Sequence, residues 1–227
     1  MNHITIVIPT RNRLDKLENT LATIPRVPWI TTAVCCDDDL RTYEAMSREH
    51  PEVVPWLFSP HRGSVYCRNE VIRQSTDGIL YAVDDIEFQT GSIEAALFRF
   101  NECFPDDDGV VGFSQIEAGQ NWHPTGIALV GSRFIDRYPE RRMFFPDYWH
   151  FAAQEVHWLA EPLGLFIQPA EALILHNHPM FAKRLGSRDL EQCRMDHTHH
   201  EARVKAAQDT RLKEKRQAAG LVWGAAK

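Results

Sequence analysis

Apolar and polar positions along the first ninety residues form blocks that predict strands and helices in alternation. Apolar runs rich in Ile and Val at residues 4–10, 30–36, 53–58 and 79–83 have the length of buried strands. Between these runs apolar residues recur at helical spacing, as Leu14, Leu17 and Leu21 do, and residues 40–46 and 64–74 show similar patterns. This alternation predicts an α/β fold with a parallel sheet covered by helices.

The second half of the chain has a different pattern. Apolar runs at residues 109–113, 127–130, 165–167 and 172–175 predict further strands, and residues 92–103 and 147–160 predict helices. Asp147 is expected to cap the second of these helices, and the charged residues after position 180 predict a helical extension.

Charged side chains follow three of the predicted strands directly. They are Arg11 and Arg13 after the first strand, Asp37, Asp38 and Asp39 after the second, and Asp84, Asp85 and Glu87 after the fourth. Because ligands of open α/β sheets lie beyond the carboxyl ends of the strands, we expect these groups to converge on one crevice. Carboxylates there suit a divalent metal, and guanidinium groups suit phosphate oxygens.

Composition restricts the class of protein. With 227 residues, 44% of them hydrophobic, the chain can build one well-packed domain. A net charge of -6 gives no general attraction for nucleic acid, although residues 213–216 are locally basic. The five cysteines include no C-x-x-C pair, and neither a signal peptide nor a membrane-spanning run is present. We therefore expect a cytoplasmic protein without disulfides.

The order of the motifs resembles the GT-A glycosyltransferases, and among them the family 2-like inverting enzymes that use nucleotide-diphosphate sugars. Residues 6–13 are similar to the family's opening strand and nucleotide loop, and residues 63–70 to its G-x-x-x-A-R-N-x segment. Asp84-Asp85 occupies the place of its D-x-D motif, although Val83 precedes the pair. Gln154-Glu155 stands where a Glu-Asp pair is usual, and His176 matches a late metal-binding histidine.

The resemblance implies a Rossmann-like mixed sheet of GT-A type over residues 1–180, with a nucleotide-binding half up to residue 90 and an acceptor half after it. It also implies Mn²⁺ or Mg²⁺ as cofactor, a UDP-sugar as donor and a hexosyltransferase-like reaction. The residues carried over for the donor are Pro9, Thr10, Arg11, Arg13, Asp37, Asp38, Arg68 and Asp84. Those carried over for the metal are Asp85, Glu87 and His176. Glu155 inherits the role of catalytic base, with Asp147 in reserve.

The acceptor stays open at the level of sequence. We expect Trp122, His123, Tyr148 and Trp149 on the acceptor side, where aromatic rings could stack on a sugar or on a nucleobase. A saccharide, a protein and a hydroxymethylated DNA base are all compatible acceptors. Two other functions remain: a sugar nucleotidyltransferase, whose Gly-rich loop and Lys are absent here, and a noncatalytic module that binds nucleotide sugars.

The tail raises one further possibility. Asp196 with His200, and His197 with Glu201, have the spacing of zinc ligands on one helix face. Because the segment is rich in both acids and bases, a solvated helix with ion pairs is the favoured interpretation.

Overall fold

The computed structural model describes residues 1–116, 124–149, 152–177 and 200–225. The predicted acceptor residues Trp122 and His123, and Asp196 and His197 of the possible zinc cluster, lie outside these ranges. The strands are β1 (Ile4–Thr10), β2 (Ile30–Asp37), β3 (Val53–Phe58), β4 (Gly78–Tyr81), β5 (Ile86–Phe88), β6 (Val110–Gly112), β7 (Ser114–Gln115), β8 (Ala128–Val130), β9 (Phe166–Ile167) and β10 (Leu173–His176). The helices are α1 (Leu14–Leu21), α2 (Leu40–Glu49), α3 (Ser64–Ile72), α4 (Ser92–Cys103), α5 (Ser132–Ile135), α6 (Ala153–Ala160) and α7 (His200–Ala218), with a 3₁₀ turn at Pro139–Arg141.

The main sheet is mixed. Within the described residues its strand order is β3-β2-β1-β4-β8-β6-β9. The first four strands of this order are mutually parallel, and β8 runs antiparallel to both β4 and β6. The parallel half aligns the carboxyl ends of β1, β2 and β4 at one edge, as the sequence predicts.

Helices cover both faces of this sheet, because successive side chains of a strand point to opposite faces. On one face, Ile6 of β1 belongs to the same buried cluster as Leu17 of α1 and Phe100 of α4. On the other face, Val7 is clustered with Val65 of α3. The expected α/β fold, a Rossmann-like mixed sheet flanked by helices, is confirmed.

A smaller sheet extends the acidic end of β4. Its strand order is β5-β10-β7, with β10 antiparallel to β5 and parallel to β7. The pairing places His176 opposite Ile86, the residue that directly follows Asp85. The sequence did not predict β5 or β7, since neither lies in an uninterrupted apolar run: Glu87 interrupts β5, and β7 consists of Ser114 and Gln115.

The predicted helix at residues 147–160 begins later than expected. Helix α6 starts at Ala153 and its N-cap residue is Ala152. Asp147 therefore does not cap it, and that prediction is wrong. None of the helices in the described ranges is long and apolar enough to cross a membrane.

A buried hydroxyl fastens the acidic segment to α1. Thr20 Oγ1 donates a hydrogen bond to the carbonyl oxygen of Ile86 at 2.7 Å and accepts one from the Ile86 amide at 3.2 Å. Thr20 is fully buried. This side chain thus satisfies both backbone groups of the residue that follows Asp85.

We expect Thr20→Val, which keeps the shape but removes the hydroxyl, to lower the free energy of unfolding by about 2 kcal/mol. Two buried backbone groups would lose their partner. Urea unfolding measures the change. Thr210 of α7 is exposed, and Thr210→Val is the matched control, whose free energy of unfolding should lie within about 0.5 kcal/mol of the parent value. Equal effects of the two substitutions would contradict the role of Thr20.

Candidate active site

The polar ends of β1, β2 and β4 meet, as expected from the sequence. Thr10 Oγ1 donates to Asp84 Oδ2 at 2.8 Å, so the ends of β1 and β4 are joined directly. The Asn12 amide donates to Asp39 Oδ2 at 2.7 Å, and Asp39 also caps α2 by accepting from the Thr42 amide. The loop after β1 is therefore held between the acids of β2 and of β4.

Arg13 forms the centre of this edge. Its Nη1 lies 2.8 Å from Asp84 Oδ1, and its Nη2 donates to Asp85 Oδ2 at 2.6 Å. The two carboxylates are 2% and 5% exposed, so the ion pairs are screened little by water. One guanidinium group thus bridges both acids of the predicted metal motif.

The two carboxyl groups have opposite pKa shifts. Burial raises the pKa of Asp84 above its ordinary value, against the opposing charge of Arg13. Burial acts in the same direction on Asp85, but the hydrogen bond to His176 and the charge of Arg13 together hold the pKa of Asp85 well below its usual range. Asp85 is therefore the more firmly ionised of the pair.

His176 and Glu87 reach this edge through the small sheet. His176 Nε2 lies 3.2 Å from Asp85 Oδ1. The Asn177 amide donates to the Asp85 carbonyl oxygen at 2.8 Å, and Asn177 Nδ2 donates to Glu87 Oε1 at 2.8 Å. These bonds hold Asp85 and Glu87 against the end of β10 and the residue that follows it.

The Asp85 and His176 side chains suit a divalent metal that a substrate phosphate also contacts. Sites of that kind use one or two protein ligands, and carboxylate oxygen with imidazole nitrogen matches Mn²⁺ chemistry. Across the part of the chain that the structure describes, no group of three His, Cys, Asp or Glu residues is placed to hold a metal without a substrate. Asp85 and His176, whose side chains lie 3.2 Å apart, are the residues of this edge that would hold such a metal, whereas Glu87 is bonded to Asn177.

Asp37 organises the loop before α3. Its carboxylate accepts hydrogen bonds from the amides of Arg62 at 2.8 Å and Gly63 at 2.9 Å. His61 Nδ1 lies 2.6 Å from the same carboxylate. The neighbouring Asp38 is exposed and accepts from the Ser59 hydroxyl at 3.1 Å. Of the two predicted donor-binding acids of β2, Asp38 is the one open to solvent.

The other predicted donor residues differ in their access to a ligand. Arg11 is exposed beyond β1, whereas Pro9 is buried within that strand opposite Cys35. Arg68 is 6% exposed, donates to the Ala82 carbonyl oxygen at 2.7 Å and lies over the Phe144 ring. The expectation of an Arg68 contact with a diphosphate does not match this placement, because the guanidinium group is buried against Phe144 and the Ala82 carbonyl oxygen.

Glu155 lies inside a dense hydrogen-bond network. Arg216 of α7 pairs with it through two bonds, Nε to Oε1 at 2.6 Å and Nη2 to Oε2 at 2.9 Å. The Tyr148 hydroxyl donates to Oε1 and the Trp223 amide donates to Oε2, each at 2.6 Å. Glu155 is 3% exposed. Both oxygens of the predicted catalytic base are therefore engaged within the protein, and these bonds tie α6 to the C-terminal segment.

Tyr148 and Trp149, the predicted acceptor-side aromatics that the structure describes, pack within the protein. Tyr148 is 3% exposed and bound to Glu155. The Trp149 ring packs against Gly63 and lies edge-on to His61, with ring centroids 4.9 Å apart. Asp147, two residues before Trp149, is exposed. Of the two acids predicted as catalytic base, Asp147 and Glu155, Asp147 is the one exposed to solvent.

Comparison with solved structures identifies the fold. A mannosyltransferase from Pyrobaculum calidifontis, in complex with GDP-Man and Mn²⁺, matches with a TM-score of 0.59 and 14% identity over 77% of this chain and 56% of its own. S. aureus TarS in complex with UDP-GlcNAc matches with a TM-score of 0.57 and 12% identity over 74% of this chain and 56% of its own. The chain has a glycosyltransferase fold.

This likeness concerns the fold, since both identities are low and the chain spans little more than half the length of either compared chain, that of TarS being residues 1–349. No protein-family model matches the sequence, and no curated protein matches it. The glycosyltransferase fold nevertheless explains why the acids after β2 and β4 meet at one edge.

Sequence reasoning missed several residues that contact the candidate site or the residues around it. They are His61, Asn177, Asp209, Arg216 and Trp223. Asp209 and Arg216 lie in a helix whose many charges resemble a solvated surface, so their buried contacts leave no periodic signal. Asn177 was recognisable only as the neighbour of His176.

We expect the Glu155–Arg216 pair to show a coupling free energy of about 3 kcal/mol at pH 7, because each charge is buried against the other. A double-mutant cycle with Glu155→Gln and Arg216→Met, followed by urea unfolding, measures it. The pKa of Glu155 is lowered in the fold, so the coupling should persist above the unfolded value of 4.5 and vanish as the pH falls through the lower folded pKa.

The exposed Arg99–Glu102 pair of α4 is the matched control for this cycle. Its coupling should be below about 0.5 kcal/mol at any pH, as for other solvated pairs on helices. A Glu155–Arg216 coupling as small as this control would contradict the proposed anchoring of α7.

Proposed function

We propose that this chain is a metal-assisted glycosyltransferase that transfers a sugar, with inversion, from a nucleotide-diphosphate donor to an acceptor hydroxyl. The observation that carries the proposal is the meeting of the β1 loop, Asp37 and the Asp84-Asp85 pair at one sheet edge, within a glycosyltransferase fold. A UDP-sugar is the first donor to test. GDP-sugars come next, since the neighbouring structures hold donors of both kinds.

The side chains at this edge have distinct tasks in the proposal. Asp85 and His176 would hold Mn²⁺ or Mg²⁺, which when bound neutralises negative charge on the departing diphosphate. Arg11 is exposed and offers its guanidinium group to phosphate oxygens. Arg13 fixes the orientation of both carboxylates, and Thr10 does the same for Asp84 through its hydroxyl.

For the base that removes the proton of the acceptor hydroxyl, we propose Asp147 rather than Glu155. Glu155 already accepts hydrogen bonds from Tyr148, from Arg216 and from the Trp223 amide, and the charge of Arg216 lowers its basicity. Asp147 is exposed and close in sequence to Trp149, which packs on the loop that Asp37 organises. An exposed carboxylate at this place suits a mobile or bulky acceptor.

A product assay tests the proposal as a whole. Purified protein with Mn²⁺ is incubated with UDP- and GDP-sugars and a panel of saccharide, peptide and hydroxymethylated DNA acceptors. Release of nucleoside diphosphate together with a glycosylated acceptor is the expected result. Release of pyrophosphate would indicate nucleotidyl transfer, and donor binding without any product would indicate a noncatalytic module, so either outcome overturns the proposal.

Asp85→Asn should weaken Mn²⁺-dependent donor binding by about 100-fold, because the amide is a poor ligand for a hard cation. Titration calorimetry with donor, with and without Mn²⁺, measures the effect. Exposed Asp106 provides the control substitution Asp106→Asn, which should leave affinity unchanged. Unaltered metal-dependent affinity in a folded Asp85→Asn variant would remove Asp85 from the site.

Asp147→Asn should lower kcat by about 10²-fold or more while donor affinity is retained, as expected for loss of a general base. Glu155→Gln should act mainly on the free energy of unfolding. Steady-state kinetics on both variants, at a temperature where both are folded, separates the two roles. A full-rate Asp147→Asn enzyme would exclude that residue as the base.

A further inference from the structure

Two groups hold the loop of residues 61–63. The buried Asp37 carboxylate accepts hydrogen bonds from the amides of Arg62 and Gly63. The Trp149 ring packs so closely on Gly63 that a Cβ added to this glycine would lie 2.7 Å from the indole Cδ2. Gly63 has φ +87, which also favours glycine. The loop is therefore clamped between a donor-edge acid and one aromatic ring.

The backbone of Trp149 reinforces this clamp. Its carbonyl oxygen accepts hydrogen bonds from the Val65 amide and the Ser64 hydroxyl, both at 3.2 Å. These donors belong to the first turn of α3, where helix amides otherwise lack intrahelical partners. Any displacement of Trp149 would thus be transmitted to the loop and to the start of α3.

Helix α7 holds Trp149 in place. Asp209 Oδ1 accepts the Trp149 amide at 2.9 Å, and Asp209 is 2% exposed although the helix around it is highly charged. Lys205, one turn earlier, places its Nζ 4.6 Å from the centroid of the Trp149 ring. Residues four apart share a helix face, so both contacts come from a single side of α7.

The far end of the same helix is anchored independently. Arg216 binds Glu155 and lies 3.7 Å from the centroid of the Phe145 ring. Trp223 donates through Nε1 to the Arg142 carbonyl oxygen at 2.7 Å. The helix is consequently fixed at one end, and its earlier turns can position Trp149 with little freedom.

We propose that Asp209 and Lys205 of α7 are positioning residues that, through Trp149, fix the 61–63 loop at the donor edge. The C-terminal helix thereby sets the affinity for the nucleotide-sugar donor without touching it. This proposal rests on the proposed function for its kinetic consequence. Its structural consequence, a rigid loop at residues 61–65, stands without it.

Hydrogen exchange tests the structural part on the full chain. In Asp209→Ala the amides of Arg62, Gly63 and Val65 should exchange about tenfold faster than in the parent. Asp209→Asn keeps an acceptor oxygen for the Trp149 amide and should restore slow exchange. Glu214→Ala, an exposed acid on the same helix, should leave the three amides unchanged. Equal exchange in Asp209→Ala and Glu214→Ala would overturn the proposal, whatever the activity.

Donor kinetics tests the functional part. Asp209→Ala and Lys205→Met should each raise the KM for the donor, by about tenfold for Asp209→Ala, while kcat changes less than about twofold. Asp209→Asn should recover most of the donor KM. Faster loop exchange with an unchanged donor KM would overturn the link to donor binding. A parent protein that shows no turnover with any donor would instead refute the proposed function, and the exchange measurement would still decide whether α7 positions the loop.

Discussion

The Arg13 guanidinium group between two buried carboxylates is the interaction on which the candidate site depends. Two acids side by side, 2% and 5% exposed, would repel each other at close range without a cation between them. Arg13 supplies that cation from the β1 loop, so the end of β1 cannot move independently of the end of β4. Arg13 opposes the effect of burial on the pKa of both acids, and the hydrogen bond with His176 lowers the pKa of Asp85 alone, so Asp85 is the carboxylate that stays ionised.

A second buried ion pair joins the C-terminal segment to the rest of the domain. Glu155 and Arg216 join α6 to α7. With the hydrogen bonds from Tyr148 and Trp223, each carboxylate oxygen of Glu155 accepts two hydrogen bonds. Buried pairs of this kind are better understood as devices that select one arrangement than as large sources of stability. Here the selected arrangement brings Asp209 to the Trp149 amide, from which it accepts a hydrogen bond. The charged tail, which looks like a solvated helix in the sequence, is part of the packed structure.

The sequence predicted the fold well where elements were long. β1, β3 and α4 have the predicted boundaries, and β2 ends one residue later than predicted, because long apolar runs and regular helical spacing are strong signals. The meeting of the β1 loop with Asp39 and with Asp84 followed from the geometry of parallel strands. Residue roles were harder to predict, since burial decides them: Arg68, Tyr148 and Glu155 have suitable chemistry, but each is enclosed by partners distant in the chain. A pattern of residue types contains no information about which side chains a later helix will cover.

The pairing of β10 with β5 has a consequence for how the protein is made. Asp85 and His176 are ninety-one residues apart in the chain, and they approach only when the last strand of the small sheet has been added. During synthesis, the ribosome must therefore release residues well beyond 176 before these two side chains can meet. The nascent chain can form β1, β2, β3 and β4 early, yet Asp85 gains its contact with His176 only after β10 has emerged and paired with β5.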